Sequence, residues 1–482
     1  MTILGRALFG LLSLPLAAAA VDFPPLEPPA AMFRAHREKF LAKLPPNSIA
    51  VLRAAPSKTM SNDVEYPYRQ DSDLWYLTGI EDPESVVVLR PNAADGKRFV
   101  VFVKPRDPRV ESYEGPRAGP LEAASAYSAD AAFSAEDFAD RMAKYDPAAR
   151  TYSGYLAGVE KVYLADGGDE EWANRLRATI ATMRAREAGP STVVDAGEVV
   201  HEMRLVKDAN EIALIRRATE ISGRGHVLAM KAAAADRYEF EVQEAHDGYC
   251  YANGVRRMAY PSIVASGPNS VFLHWERNDR RMKAGDLVLN DSGAEYRYYA
   301  TDITRTYPAS GRFTAEQRAI YDVVLAAQKA ALAEVRPGAL HAQIGKAAAR
   351  VQSEGLVRLG LLKGDVGKLV RDNGHRTLTK HGISHWVGLD VHDAGRYSVG
   401  GESRRLEPGM VFTIEPGIYV PDGLAGVDRK WWNIGVRIED VVLVTESGYE
   451  CLSCFVPREA VEVEKTVLSG RETEVGREAA VP

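Results

Sequence analysis

The sequence predicts a mixed α/β protein of two domains, and three observations predict it. The 482 residues are 46% hydrophobic and 26% charged, an ordinary globular composition in a chain long enough for two or three domains. Between residues 32 and 196, short apolar runs alternate with longer runs of helical period. In the stretch 285–308, GDLVLNDSGAEYRYYATDITRTYP, two strand-like runs each carry a carboxylate, Asp291 and Asp302, around a turn-prone Asp-Ser-Gly.

At the N-terminus, Arg6 precedes an apolar run from residue 7 to Ala20 that ends in small residues with A-x-A character. Such a run is too short to span a bilayer, which takes roughly 20 residues, and it reads as a cleaved signal peptide over 1–20. Export to a periplasm or the medium is expected, and a cytoplasmic location if the leader is not a true signal. A Pro-rich arm follows over 21–31, and no later stretch resembles a transmembrane span, so stable membrane association is not expected.

The first domain, 32–198, has strands expected at Ser48–Arg53, 85–90, 98–103 and Lys161–Ala165. Helices are expected over 133–144 and 172–186, the second with Trp172, Leu176, Ile180 and Met183 on one face. The connecting segment 65–79, EYPYRQDSDLWYLTG, mixes aromatic and charged residues as a packed interface does, and the wall of a substrate pocket is the alternative. A GPST linker over 189–192 leads to the second domain, 199–460, with a tail over 461–482. Asp208 and Glu211 form a capping box in a helical stretch over 203–222, and Thr314 with Gln317 opens a helix over 315–335 that stops at Arg336-Pro337-Gly338.

Net charge is −6, with no basic run or acidic tail, so nothing supports nucleic-acid binding. Three cysteines, Cys250, Cys451 and Cys454, cannot make a disulfide framework. The Cys451-x-x-Cys454 pair lacks partners for zinc and follows a strand-like run instead of opening a helix, so no function is expected of it.

In the Asp hairpin, Asp291 and Asp302 are expected side by side at one end. Two acids in an apolar strand pair are costly to bury without a positive partner, of which a metal ion is the simplest. Two ordinary strand-end aspartates are the alternative for this stretch taken alone. Further on, HGISHWVGLDVHDAG over 381–395 holds three of the ten histidines, His381, His385 and His392, between glycines that break a regular helix. Its H-x-x-x-H lacks the glutamate of a zinc-protease helix. LEPGMVFTIEPGIYV over 406–420 places Glu415 after an apolar run and before a Pro-Gly turn. GVRIEDVVLV over 435–444 puts Arg437 and Glu439 on one face of a strand, where a salt bridge between them is the simplest reading. Together Asp291, Asp302, His385, Glu415 and Glu439 offer four carboxylates and one imidazole. Their charge matches two divalent cations, and the ligands suit manganese, cobalt or magnesium. In such sites the ions lie ~3.5–4 Å apart and acidify a shared water, whose hydroxide attacks a carbonyl.

These motifs resemble the pita-bread metallopeptidases of family M24B, and most closely the Xaa-Pro aminopeptidase (aminopeptidase P) family. The resemblance covers 32–452 and rests on EYPYRQDSDLWYLTG, the Asp hairpin with TDITRTYP, HGISHWVGLDVHDAG, LEPGMVFTIEPGIY and GVRIED, in matching order. It implies an N-terminal α/β domain and a pita-bread catalytic domain of two pseudo-symmetric halves with a curved sheet inward. It implies two divalent ions, Mn2+ by preference, with Asp302 and Glu439 bridging, Asp291 on one ion, and His385 with Glu415 on the other. His274, His381 and His392 are implied to bind substrate and support the transition state. Glu415 would shuttle the proton to the leaving proline nitrogen, and Tyr419 and Arg437 would orient the carboxylates. The implied reaction removes the N-terminal residue from peptides with proline in second position, and the implied assembly is a homo-oligomer, dimer or tetramer. A prolidase is the alternative, although Ser384-His385-Trp386 and EYPYRQ are closer to the aminopeptidase branch. A non-catalytic binding protein of this fold would have lost ligands that are all present here. Two departures stand out: Tyr113 where a Trp is usual, and Asn290 before Asp291.

Overall fold

The computed structural model describes residues 23–478. The expected signal peptide over 1–20 lies outside the described residues. The first domain is a six-stranded mixed sheet in the order Thr192–Asp195, Lys161–Ala165, Ser48–Arg53, Val86–Leu89, Phe99–Val103 and Ala131–Ser134. Strand Ser48–Arg53 pairs parallel with Lys161–Ala165 and antiparallel with Val86–Leu89. Its inner strands are buried on both faces, which is why they read as continuous apolar runs. Helix Glu170–Arg184 lays Trp172, Leu176, Ile180 and Met183 against one face, as their spacing requires.

The structure corrects three expectations in this part. Residues 133–144 are not one helix: Ala131–Ser134 is an edge strand, followed by a 3-10 turn and the short helix Phe138–Met142. Pairing with Phe99–Val103 and the ring contact Phe102–Phe133 at 5.8 Å outweigh local helix preference. The 189–192 linker runs straight into strand Thr192–Asp195, which completes the sheet, and helix Gly197–Arg204 crosses the expected boundary at 198. The described part of the 21–31 arm, from Phe23, is packed on the protein: Phe23 is buried, the Leu26 amide donates to the Tyr296 hydroxyl at 3.0 Å, and a helix begins at Ala30.

Segment 65–79 is the packed interface its composition suggests. It contains helix Ser72–Thr78, buried at every residue and capped by the Asp71 side chain. Trp75 stacks on Tyr298 at 4.5 Å, and Arg69 Nε donates to Glu295 Oε2 at 2.7 Å, tying this helix to the hairpin that leads to Asp302.

The second domain repeats one plan twice. Helices Ala209–Ala232 and Glu239–Ala252 precede the antiparallel sheet Ile263–Ser266, Leu287–Asp291, Thr304–Pro308. Helices Ala315–Ala333 and His341–Arg358 precede the sheet Val411–Ile414, Asp440–Val444, Tyr449–Cys451. Both expected capping boxes are formed, at Asp208/Glu211 and Thr314/Gln317. The strands lie inside and the helices outside, so the strand ends of both halves meet at one place.

Here too the structure differs from expectation. The hairpin turns at Arg297 and Tyr298, both in the left-handed region, instead of at Asp-Ser-Gly. Residues 292–293 pass close to the returning chain, and a Cβ at Gly293 would stand 2.0 Å from the Thr301 carbonyl oxygen. Residues 435–444 are two strands in different sheets, Ile434–Arg437 beside Gly417–Val420 and Asp440–Val444 beside Val411–Ile414. From residue 460 the chain forms helix Ala460–Glu478, whose Val463 and Val467 enter the core, so the expected tail begins as a packed helix. Cys451 and Cys454 form a disulfide. Among the described residues no helix is long and apolar enough to cross a membrane.

Candidate metal centre and catalytic cleft

Asp291 ends its strand and Asp302 lies just before Thr304–Pro308, which pairs with that strand at Asp291↔Thr304. The two carboxylates are therefore neighbours, as the hairpin predicts. The Tyr260 hydroxyl lies 2.6 Å from Asp291 Oδ1 and 2.5 Å from Asp302 Oδ1. Glu415 follows strand Val411–Ile414, and Glu439 immediately precedes strand Asp440–Val444, the partner of that strand. His385 is fixed in an irregular segment by its amide, which donates to Thr413 Oγ1 at 3.2 Å.

These five side chains converge. His385 Nε2 lies 3.4 Å from Asp302 Oδ2, 3.6 Å from Glu415 Oε1 and 3.9 Å from Glu439 Oε1. The distances exceed those of hydrogen bonds and suit donors turned toward a common centre. The other ring nitrogen, Nδ1, faces the Trp386 carbonyl at 3.2 Å, which places its proton there and leaves the Nε2 lone pair facing the carboxylates. Glu439 Oε1 is buried and has no hydrogen-bond partner among the described residues. Ligand atoms of Asp302, His385 and Glu439 lie within 4.8 Å of one another.

The electrostatics point the same way. Burial, with Asp291 beside it, pushes the Asp302 carboxyl well above the usual range. Burial raises Glu415, with Glu439 next in importance, and burial raises Glu439, with Asp302 next. Bare, the cluster resists ionisation; divalent cations remove that penalty. Donor set, orphaned oxygen and charge all fit such ions.

Arg437 is the cluster's built-in cation, but it does not pair with Glu439 as the strand reading suggests. Because the chain changes sheets after Arg437, its guanidinium turns to Asp291 Oδ2 at 2.5 Å and to the Tyr419 hydroxyl at 2.9 Å. Glu439 instead accepts from Thr304 Oγ1 at 2.7 Å. Tyr419 passes the polarity on: its oxygen accepts from Arg437, so its proton goes to His381 Nε2 at 2.7 Å. His381 is then neutral with its proton on Nδ1, which donates to the Gly382 carbonyl oxygen at 2.5 Å; Glu415 Oε2 lies 3.4 Å from the same nitrogen, and burial holds the pKa of His381 down at about 3. His392 packs edge-on against His385 with ring centres 4.2 Å apart, and burial lowers its pKa too.

A cavity of about 440 Å³ opens over the cluster, lined by the five candidate ligands with His274, His381, His392 and Arg437, and by Ile263, Leu273 and Val391. Of the catalytic and metal-binding candidates named from the sequence only Tyr419 is not in this wall, and it touches two members of it, His381 and Arg437. A larger groove of about 990 Å³ lies alongside and holds none of the cluster's carboxylates. Sequence reasoning missed Tyr260 and the connecting role of Thr304. Nothing in RRMAYPSIV marks Tyr260, whereas Thr304 sits inside the TDITRTYP motif.

A pita-bread domain with a carboxylate-rich cluster and a neutral imidazole at the meeting point of its halves defines a metal-dependent hydrolase. Metallopeptidase family M24 matches residues 213–446, and the aminopeptidase P N-terminal domain matches residues 33–155. A Xaa-Pro aminopeptidase of Escherichia coli is 40% identical over 445 residues, covering 91% of this chain and 98% of that protein. The Haemophilus influenzae Xaa-Pro aminopeptidase is 38% identical over 90% of this chain and 96% of its own length. The structure of Pseudomonas aeruginosa aminopeptidase PepP superposes with a TM-score of 0.87 at 41% identity, covering 92% of this chain and 99% of that one. The chain belongs to the Xaa-Pro aminopeptidases of metallopeptidase family M24.

Proposed function

We propose that this protein is a metalloaminopeptidase that removes the first residue from peptides with proline in second position. The observation that carries the reading is the convergence of His385 Nε2 on Asp302, Glu415 and Glu439, with Glu439 Oε1 unpartnered, at the floor of a peptide-sized cavity. Asp291, Asp302, His385, Glu415 and Glu439 would hold two divalent ions, and an oxygen-rich set with one nitrogen favours Mn2+. When bound, such ions polarise a carbonyl and make water acidic enough to act as a nucleophile near neutral pH.

The chain's own residues supply the rest. Glu415 takes the proton of the attacking water and returns it to the proline nitrogen, which otherwise leaves as a poor unprotonated amine. His381, held in one tautomer by Tyr419, donates its Nδ1 proton to the Gly382 carbonyl oxygen at 2.5 Å, which fixes the ring beside Glu415 in the wall of the cavity. His274 and His392 line the same cavity and are placed to bond the peptide around the scissile bond. Arg437 and Tyr260 hold Asp291 and Asp302 in place. A Xaa-Pro bond is a tertiary amide with no N–H, so recognition cannot use that donor. Ile263, Leu273 and Val391 offer the pyrrolidine ring an apolar wall instead.

A cleaved signal over 1–20 and a periplasmic or secreted location belong to this reading. The leader composition supports them, and so does the Cys451–Cys454 disulfide, a bond that persists in oxidising compartments. Self-association through the first domain is supported by helix Pro108–Glu114, which buries no residue and leaves Tyr113 91% exposed.

The test is hydrolysis by metal-stripped protein before and after Mn2+ addition, with a Xaa-Pro-Xaa tripeptide and a Xaa-Pro dipeptide. Metal-dependent release of the first residue from the tripeptide is expected. Turnover of the dipeptide alone would make the enzyme a prolidase.

A further inference from the structure

The larger groove has a wall in common with the catalytic cavity. Thr379, His381 and Ile383 line the groove, while His381, Gly382 and Ser384 line the cavity, so one strap separates the two and His381 borders both. The groove runs between helices His341–Arg358 and Val366–Arg371, and at about 990 Å³ it has the size of a cleft for an extended ligand. Its surface includes the apolar side chains of Ala349, Val366 and Val370.

Its rim is basic in a chain whose net charge is −6. Lys346, Arg371 and Arg376 are exposed, and none has a carboxylate within 4.0 Å among the described residues. Arg350 is paired with Glu354 at 2.9 Å and adds no net charge. Of the acids lining the groove, the remaining one is Asp365, which caps its own helix by accepting from the Lys368 amide. Three cations therefore face one acid already engaged.

We propose that this groove receives the part of the peptide beyond proline, and that Lys346, Arg371 and Arg376 select peptides carrying carboxylates there. The proposal rests on the aminopeptidase reading. With the first residue at the metal centre, a peptide leaving the cavity over the His381 side of the strap would reach the groove, because His381 borders both. Its apolar surface accepts side chains, and its rim attracts acidic ones. Exposed charge pairs of this kind are modest and screened by salt, so the selection is one of several-fold.

The test compares kcat/KM of the Mn2+-loaded enzyme for Ala-Pro-Ala-Ala, Ala-Pro-Glu-Glu and Ala-Pro-Lys-Lys at low and high ionic strength. The expected order is Glu-Glu, Ala-Ala, Lys-Lys, with a total spread of about five- to tenfold at low salt that shrinks at high salt. The double substitution Lys346→Glu with Arg371→Glu should reverse that order. Ala-Pro amide ends before the groove and is the reference that reports an intact catalytic centre. A flat wild-type series, or an order unchanged by the double substitution, would overturn the groove assignment. A flat series in which those substitutions instead abolish a concentration-dependent increase in molecular size would overturn it in favour of a second copy of the chain as the occupant. Failure of wild-type enzyme to hydrolyse Ala-Pro amide or any of the peptides would sink the aminopeptidase reading itself, whereas normal Ala-Pro amide turnover with a flat series sinks only the groove assignment.

Discussion

Two buried carboxylate clusters lie within this protein, and they are balanced in opposite ways. At the junction of the domains, Asp73 and Asp393 meet Arg204 at 2.7 and 2.5 Å, and Lys207 Nζ lies 2.9 Å from Asp393. Arg204 also reaches Asp390 at 2.6 Å. There the chain provides its own cations, and they hold the Asp393 carboxyl down at about 2 despite its burial. At the strand ends of the second domain, Asp302, Glu415 and Glu439 have Arg437 as the nearest strong cation, and Arg437 is committed to Asp291. Their carboxyls are pushed upward. The first cluster is a finished structural joint, and the second keeps three carboxylates, Asp302, Glu415 and Glu439, that no side chain among the described residues pairs as Arg437 pairs Asp291, a deficit that divalent ions would fill. Buried acids mark a metal site when the fold leaves them uncompensated, not merely when they gather.

The comparison can be broken at several points. The largest effect is expected at the second cluster: His385→Ala or Asp302→Asn should cut kcat/KM by at least about a thousandfold, since each removes one of the five proposed ligands. Circular dichroism should remain that of the folded protein, and Asp302→Asn should raise the melting temperature of the metal-free form by relieving repulsion. At the first cluster the sign reverses. Arg204→Leu strands Asp73 and Asp393 and should cost roughly 3–5 kcal/mol in urea unfolding, with or without metal. Next comes Tyr260→Phe, which removes the hydroxyl shared by Asp291 and Asp302 and should lower metal affinity or activity about 10- to 100-fold, the usual effect of losing a group that orients ligands.

The smallest and most diagnostic effect is the pH dependence of stability. Asp393 has a folded pKa below its unfolded value of about 3.9, so its contribution is present above that pH and is lost as pH falls toward about 2. Asp302, Glu415 and Glu439 have folded pKa values raised by burial, so in metal-free protein their contribution is present below about pH 4 and is lost as pH rises. Between pH 4 and neutrality, metal-free protein should therefore lose stability as pH rises, and Mn2+ should abolish or invert that slope. Denaturant titrations across this range, with and without Mn2+, measure it.

Much of the site was legible because its chemistry is written in short local strings. Asp291, Asp302, Glu415 and Glu439 stand at the ends of apolar runs, where an acid needs a reason, and His385 stands among glycines that break a helix. The capped helices were legible for the same reason, since a capping box is complete within four residues. What escaped depends on partners distant in sequence. Tyr260 is an ordinary tyrosine until strand pairing carries it to two aspartates 31 and 42 residues away. Residues 131–134 become a strand because Phe99–Val103 offers an edge. The run 435–444 reads as one strand, and only its two pairing partners show that it is two. Convergence of the five ligands is likewise a property of the two halves meeting, which no spacing along the chain reveals.

The most direct measurement is isothermal titration of Mn2+ into metal-stripped protein, run in two buffers of different ionisation enthalpy so that protons are counted with ions. Carboxyls kept neutral by burial must ionise to bind, so binding should release protons. The account predicts two ions per chain with net proton release, and fewer than two in Asp302→Asn. Binding of no ions, or of two ions with undiminished stoichiometry in Asp302→Asn and no proton release, would contradict it.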